Sequence, residues 1–110
     1  DCVQSVGHYD LDFSEIPVDF TAVSAHKFHG PKGVGFAFIR KNSGLKPLIF
    51  GGEQERGHRA GTEGVHNIVG LEEALKLSLD NLAEEKAYIS DLKAHFISKL
   101  KAEIPGVIKR

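Results

Sequence analysis

Ser24-Ala25-His26-Lys27-Phe28-His29-Gly30-Pro31-Lys32-Gly33 sets one lysine between two histidines, at the end of an alternating run and just ahead of a glycine-rich turn. A strand that stops at Ser24 delivers its last side chains to whatever pocket lies beyond it. Lysine acts as a nucleophile only after its amine loses a proton, so its site must disfavour the ammonium form. Partial burial at a strand end beside histidine has that effect. Most lysines in turns are solvated cations. Here Ser24 and His26 can donate hydrogen bonds toward an anion, and Gly30 and Gly33 permit close backbone approach. Lys27 is therefore the candidate amine nucleophile of the chain.

Working back from it, Val18 to Ser24 predicts a strand, with Val18, Phe20, Ala22 and Ser24 alternating with Asp19, Thr21 and Val23. Pro17 ends what precedes it, a single helical turn over Asp12 to Ile16. Asp1 to Val6 reads as the end of another strand. Working forward, Gly30, Pro31, Gly33 and Gly35 mark a tight turn into a second strand, Val34 to Ile39, with Phe36 and Phe38 on one face and Ala37 and Ile39 on the other. Apolar residues on both faces predict a strand buried on both sides, as in α/β sheets. After the turn Asn42-Ser43-Gly44, Leu45 to Phe50 is expected to form a further short strand.

Gly51 to Gly64 carries five glycines among Glu53, Glu55, Arg56, His58, Arg59 and Thr62, too polar and flexible for a core. Arginines, a threonine hydroxyl and glycine-rich backbone leading into a helix are what a phosphate needs, although a plain connecting loop has the same composition. Neither Gly-Lys-Ser/Thr nor Gly-x-Gly-x-x-Gly is present, so it is not a familiar nucleotide loop. From Val65 the period becomes helical: Ile68, Leu71, Leu75, Leu79 and Leu82, then Ile89, Leu92, Phe96 and Leu100. Asp80-Asn81 interrupts the stripe, and Asn81 with Glu84 has the spacing of a capping box, so two helices or one bent helix are expected. Pro105-Gly106 stops the second.

Of the 110 residues, 41% are hydrophobic and 26% charged, which fits a globular rather than a disordered chain. A net charge of −1, with both signs well mixed, offers no pull toward nucleic acid or an anionic membrane. The apolar runs are far shorter than a membrane span, no signal peptide is expected, and the single Cys2 excludes an internal disulfide and suits a reducing cytoplasm. His26 and His29 are spaced like metal ligands, but the turn between them is no helix face and no third donor is evident, so no metal is expected. His8, His58, His66 and His95 read as surface or helix-face residues. The lack of any methionine and the apolar pair Val107-Ile108 after the final turn predict a piece of a longer protein.

Ser24 to Gly35 closely resembles the lysine motif of the cysteine desulfurases, class V relatives of the aminotransferases. Arg59-Ala60-Gly61-Thr62-Glu63 followed by Ile68-Val69-Gly70 resembles their second motif, and Asp1-Cys2-Val3-Gln4-Ser5-Val6-Gly7 is similar to the segment that precedes the lysine. The resemblance implies an α/β fold: part of the large aminotransferase-like domain of fold type I pyridoxal-phosphate enzymes, built on a mostly parallel seven-stranded sheet, followed by long connecting helices. Residues 1–64 would be the C-terminal part of the large cofactor-binding domain, and 65–110 the connecting helices and the start of the small domain.

The resemblance also implies pyridoxal 5′-phosphate as cofactor, with Lys27 holding it covalently and shuttling protons. Asp1 would pair with the ring nitrogen and Gln4 with the ring oxygen. Ser24 and His26 would hold the phosphate, joined by Thr62 from the partner subunit of a homodimer. The implied substrate is L-cysteine, converted to alanine and an enzyme persulfide, with a sulfur-acceptor protein as partner. A selenocysteine lyase, an aminotransferase on the same scaffold, or a non-catalytic fragment are the alternatives. The histidine that stacks on the ring, the arginine for the substrate carboxylate and the sulfur-accepting cysteine have no counterpart here; Cys2 reads as a small core residue.

Overall fold

Phe20–Ser24 (β1) and Gly35–Ile39 (β2) pair antiparallel, Phe20 opposite Ile39 and Ser24 opposite Gly35, in the computed structural model, which describes residues 1–107. Ile108, Lys109 and Arg110, which the expectations for the chain end and for 65–110 include, lie outside the described residues. Both strands fall within their predicted runs, trimmed at the start. The mostly parallel order expected of the whole sheet is not displayed by this antiparallel pair.

One face of β1 is buried, with Thr21 and Val23 inward and Phe20 and Ala22 outward. The expectation that β2 is buried on both sides is corrected: its residues are half-buried or exposed. Among the described residues β2 has a single neighbouring strand, and only part of its apolar surface is covered, Phe36 by the core and Phe38 by the Phe13 ring. Asp1 to Val6 is not a strand but a turn, in which the amides of Ser5 and Val6 both donate to the Cys2 carbonyl. Only Cys2 reaches the sheet, donating its N–H to the Ala22 carbonyl at 3.0 Å.

The Asp12–Ile16 turn forms as expected, closed by Ile16 N–H on the Asp12 carbonyl at 3.0 Å. The Ser14 hydroxyl and then its amide hold the Asp12 carboxyl below its ordinary value of 3.8. A lowered carboxyl stabilises the fold above pH 3.8, and that stabilisation is lost as pH falls through the lower folded value.

Arg40, just past β2, fastens this loop: its guanidinium donates to the carbonyls of Val18, Phe13 and Ile16 at 2.9, 3.0 and 3.2 Å and lies 5.7 Å from the Phe38 ring centre. Removing Arg40 leaves three carbonyls without their donor while the loop's own bonds remain. Arg40→Ala is expected to speed hydrogen exchange at the Ile16 and Val18 amides about tenfold or more. Unchanged rates would show that the loop is held by something else.

Leu45 to Phe50 is not a strand. The segment has no ladder partner among the described residues and leaves Leu48 91% and Phe50 82% exposed, while Pro47 offers no N–H. The following loop contains one short 3-10 turn, Gln54–Gly57.

Two helices follow, Val65–Asp80 (α1) and Leu82–Glu103 (α2). They divide at Asn81 as predicted, but without the capping box: the Asn81 side chain turns back to donate to the Leu77 carbonyl at 2.8 Å. The stop before Pro105 holds, with Ile104 extended as a residue preceding proline must be. The stripe of α1 facing the core is Leu71, Ala74, Leu75 and Ser78, whereas Ile68 and Leu79 are exposed. At Gly70 a Cβ would meet the Pro31 ring at 2.7 Å, so glycine lets α1 lie directly against the glycine-proline turn of the lysine motif. The core is small: Val6, Val23, Ala25 and Phe28, with α1 and Cys2, Leu11, Val34 and Phe36 around it. None of the described helices is long and apolar enough to cross a membrane.

Candidate functional site

Beyond Ser24 the chain tightens into a single 3-10 turn, Ala25–Phe28. With three residues per turn, Ala25 and Phe28 come over one another. Both are completely buried, which anchors one side of the turn in the core. The residues between them are displaced from that side: His26 is exposed and Lys27 half-buried. Burial of the flanking pair thus decides where the lysine goes. The Ala25 amide donates to the Val34 carbonyl at 3.1 Å, so the turn hangs from the end of the sheet. His29, left-handed at φ 67°, reverses the chain, and Gly30 N–H closes on the Ala25 carbonyl at 2.9 Å.

Ser24 occupies the position where a serine usually caps a helix, yet its hydroxyl makes no capping bond. Asp1 and Gln4 sit exposed on the surface of the first turn, which the Cys2–Ala22 bond fastens alongside β1. One oxygen of the Asp1 carboxylate accepts the Val3 amide at 2.8 Å. The segments carrying Asp1, Gln4, Ser24, His26 and Lys27 are therefore neighbours, although residue 4 and residue 24 are far apart in sequence.

Thr62 stands apart from them. With Gly33, Val34, Gly35, Arg59, Gly61 and Asn67 it lines a shallow hollow of about 220 Å³ whose lining includes none of the other five. Gly35 is the link, since it faces Ser24 across the ladder. The loop backbone at Gly61 is pinned by Gln54, whose Oε1 accepts the amide at 3.1 Å, and the Arg59 guanidinium folds onto the carbonyl of Ala60.

Two residues that the sequence reading left out also touch the lysine turn. His8, expected to be a surface residue, is exposed but places its Nε2 at 3.0 Å from the Lys27 carbonyl. Ser78 of α1 is buried, with its hydroxyl 3.4 Å from the Phe28 carbonyl. Ser78 carried a signal: it follows Leu75 by three positions and Leu71 by seven, a polar residue on an apolar stripe. His8 carried none.

The donor set suits pyridoxal phosphate: an amine for its aldehyde, a carboxylate for its ring nitrogen, an amide for its ring oxygen, and a hydroxyl left unspent at Ser24 beside an exposed imidazole at His26.

The cysteine desulfurase IscS of Clostridium botulinum is 45% identical to this chain over 107 residues, which are 97% of the chain and 27% of that protein. Among solved structures, a NifS-like protein superposes with a TM-score of 0.85 at 43% identity, covering 91% of this chain and 27% of that one. SspA in complex with cysteine gives a TM-score of 0.64 at 43% identity over 67% of this chain and 22% of its own. The chain thus spans about a quarter of the length of these relatives. Residues 1–108 match the family described as Aminotransferase class-V, and to that family, with its pyridoxal-phosphate-dependent α/β fold, the chain belongs.

Proposed function

We propose that this chain is the lysine-bearing segment of a pyridoxal-phosphate-dependent cysteine desulfurase. The observation that carries the reading is the placement of Lys27, lifted half-clear of the core by the buried pair Ala25 and Phe28, next to the segment of Asp1 and Gln4. The names of the relatives support a desulfurase over a selenocysteine lyase, an aminotransferase or a non-catalytic fragment. On this reading residues 1–64 belong to the large cofactor-binding domain, and 65–110 supply the connecting helices and the start of the small domain.

When bound, pyridoxal phosphate supplies an aldehyde for the lysine amine and a ring that withdraws electrons from the substrate's α-carbon. Lys27 holds the group through Nζ and afterwards moves protons at the substrate carbon with the same atom. The Asp1 carboxylate keeps the ring nitrogen protonated, and the Gln4 amide donates to the ring oxygen. Ser24 Oγ and His26 bind the phosphate. Thr62 serves the phosphate of a partner subunit in a homodimer, consistent with its separate hollow.

The reaction is balanced as L-cysteine plus a thiol giving L-alanine plus a persulfide; the substrate C–S bond breaks, an S–S bond forms, and the carbon gains the proton. Cys2, packed against the core cluster, is not that thiol. The persulfide sulfur would pass to an acceptor protein for iron–sulfur cluster or thio-cofactor synthesis, in the cytoplasm and without nucleic acid or membrane.

The test uses the full gene product that contains these residues, supplied with pyridoxal phosphate, L-cysteine and a thiol reductant. Equimolar alanine and sulfide are the expected products. Transamination to a keto acid, or no consumption of cysteine, would overturn the desulfurase reading.

A further inference from the structure

A four-residue 3-10 turn cannot satisfy its own last carbonyls, and it is too short to hold its shape by propagation. Ala25 O is met from within, by the amides of His29 and Gly30. Lys27 O and Phe28 O are met from outside, by His8 and Ser78, which come from opposite directions in the chain. Lys27 O thus receives its only side-chain bond among the described residues from a residue 19 positions earlier.

The loop is shaped to make that bond. Gly7 is left-handed at φ 81°, and a Cβ there would lie 2.8 Å from the Phe28 Cβ. Glycine therefore lets the backbone press directly against the lysine turn, and the next residue comes down over it. Val6, just before, is buried in the same core as Phe28, which fixes the loop from its other side. A carbonyl only accepts, so the Nε2 of His8 must carry the proton. Both the neutral Nε2–H tautomer and the imidazolium meet that requirement. What the ring contributes is a donor at a given reach, not a charge.

We infer that His8 is a positioning residue for Lys27: by holding the lysine's own carbonyl it fixes the main chain from which the amine is aimed. The inference rests on the proposed role of Lys27. Four methylenes separate that amine from the backbone, so loosening the Lys27 peptide spreads the amine over positions from which it cannot react. Displacements of about 1 Å at a reacting group reduce rates by up to about 10²-fold.

The experiment measures how fast the cofactor-free full gene product takes up pyridoxal phosphate covalently, followed by absorbance, with the adduct reduced by borohydride and its position mapped. His8→Ala is expected to slow uptake about tenfold. His8→Gln, whose amide nitrogen can take the place of Nε2, is expected to restore it to within about twofold of the parent. Because His8 is exposed, both variants should melt within about 2 °C of the parent. Parent-like uptake by His8→Ala, or Gln as slow as Ala, would overturn the inference. If His8→Ala fails to fold, His8→Gln decides alone: fast uptake supports a positioning donor and slow uptake refutes it. An adduct mapped away from Lys27, or none in the parent, would instead refute the reading of Lys27.

Discussion

The full gene product carrying Lys27→Ala is expected to form no covalent adduct with pyridoxal phosphate and to release alanine from L-cysteine at least about 10⁴-fold more slowly than the parent. Two functions are removed at once, since the same amine both holds the cofactor and moves the proton. The fold should be spared. Lys27 is half-buried and outside the core cluster, and the bonds that shape its turn run through the backbone of Ala25, Lys27 and Phe28. A change in stability within about 0.5 kcal/mol is therefore expected.

Lys27→Arg separates charge from chemistry. The guanidinium preserves the positive charge but does not give up its proton, so Arg should be as inactive as Ala. Measurable turnover by the Arg variant would mean that residue 27 contributes a cation rather than a nucleophile. An adduct surviving in the Ala variant would place the reactive amine elsewhere.

The parts of this molecule that the sequence made legible are those decided locally. Alternation located β1 and β2, a helical period located α1 and α2, and a proline located the end of α2. The lysine was legible because its motif is contiguous. Leu45 to Phe50 shows where local pattern fails: a run of apolar residues becomes a strand only if another strand is there to bond it, and among the described residues none pairs with it. Asn81 fails for a related reason. Its side chain had two local partners to choose between, the amide donors at the start of α2 and the carbonyl acceptors at the end of α1, and its nitrogen donates to the Leu77 carbonyl. The contact of His8 with Lys27 depends on how a glycine at position 7 meets a phenylalanine at position 28, which no local window contains.

These contacts make the lysine turn more a product of tertiary packing than of its own sequence. Its two outward residues carry the proposed chemistry while its two inward residues carry the stability, an arrangement that separates the effects of substitution. His26 and Lys27 can change with little cost to the fold. Ala25 and Phe28 cannot.

Phe28→Ala is accordingly expected to cost about 3–5 kcal/mol, seen as a lower denaturant midpoint at unchanged slope. Phe28 is fully buried and the largest side chain in the core to be so, and it contacts the first turn, β1 and α1 together. Phe36, the aromatic packed against the same cluster, is held in place by its pairing with Val23 in the ladder. The small size of the core sharpens the effect, because Val6, Val23 and Ala25 cannot collapse into the cavity without dragging the first turn off β1. The damage should extend to cofactor binding, since the carbonyls of residues 27 and 28 lose the register in which His8 and Ser78 reach them. Phe28→Leu, which refills much of the volume, should recover a large part of the stability and most of the cofactor uptake. A midpoint unmoved by Phe28→Ala would show that the lysine turn is held by its hydrogen bonds alone, and the burial of Phe28 would no longer account for where Lys27 stands.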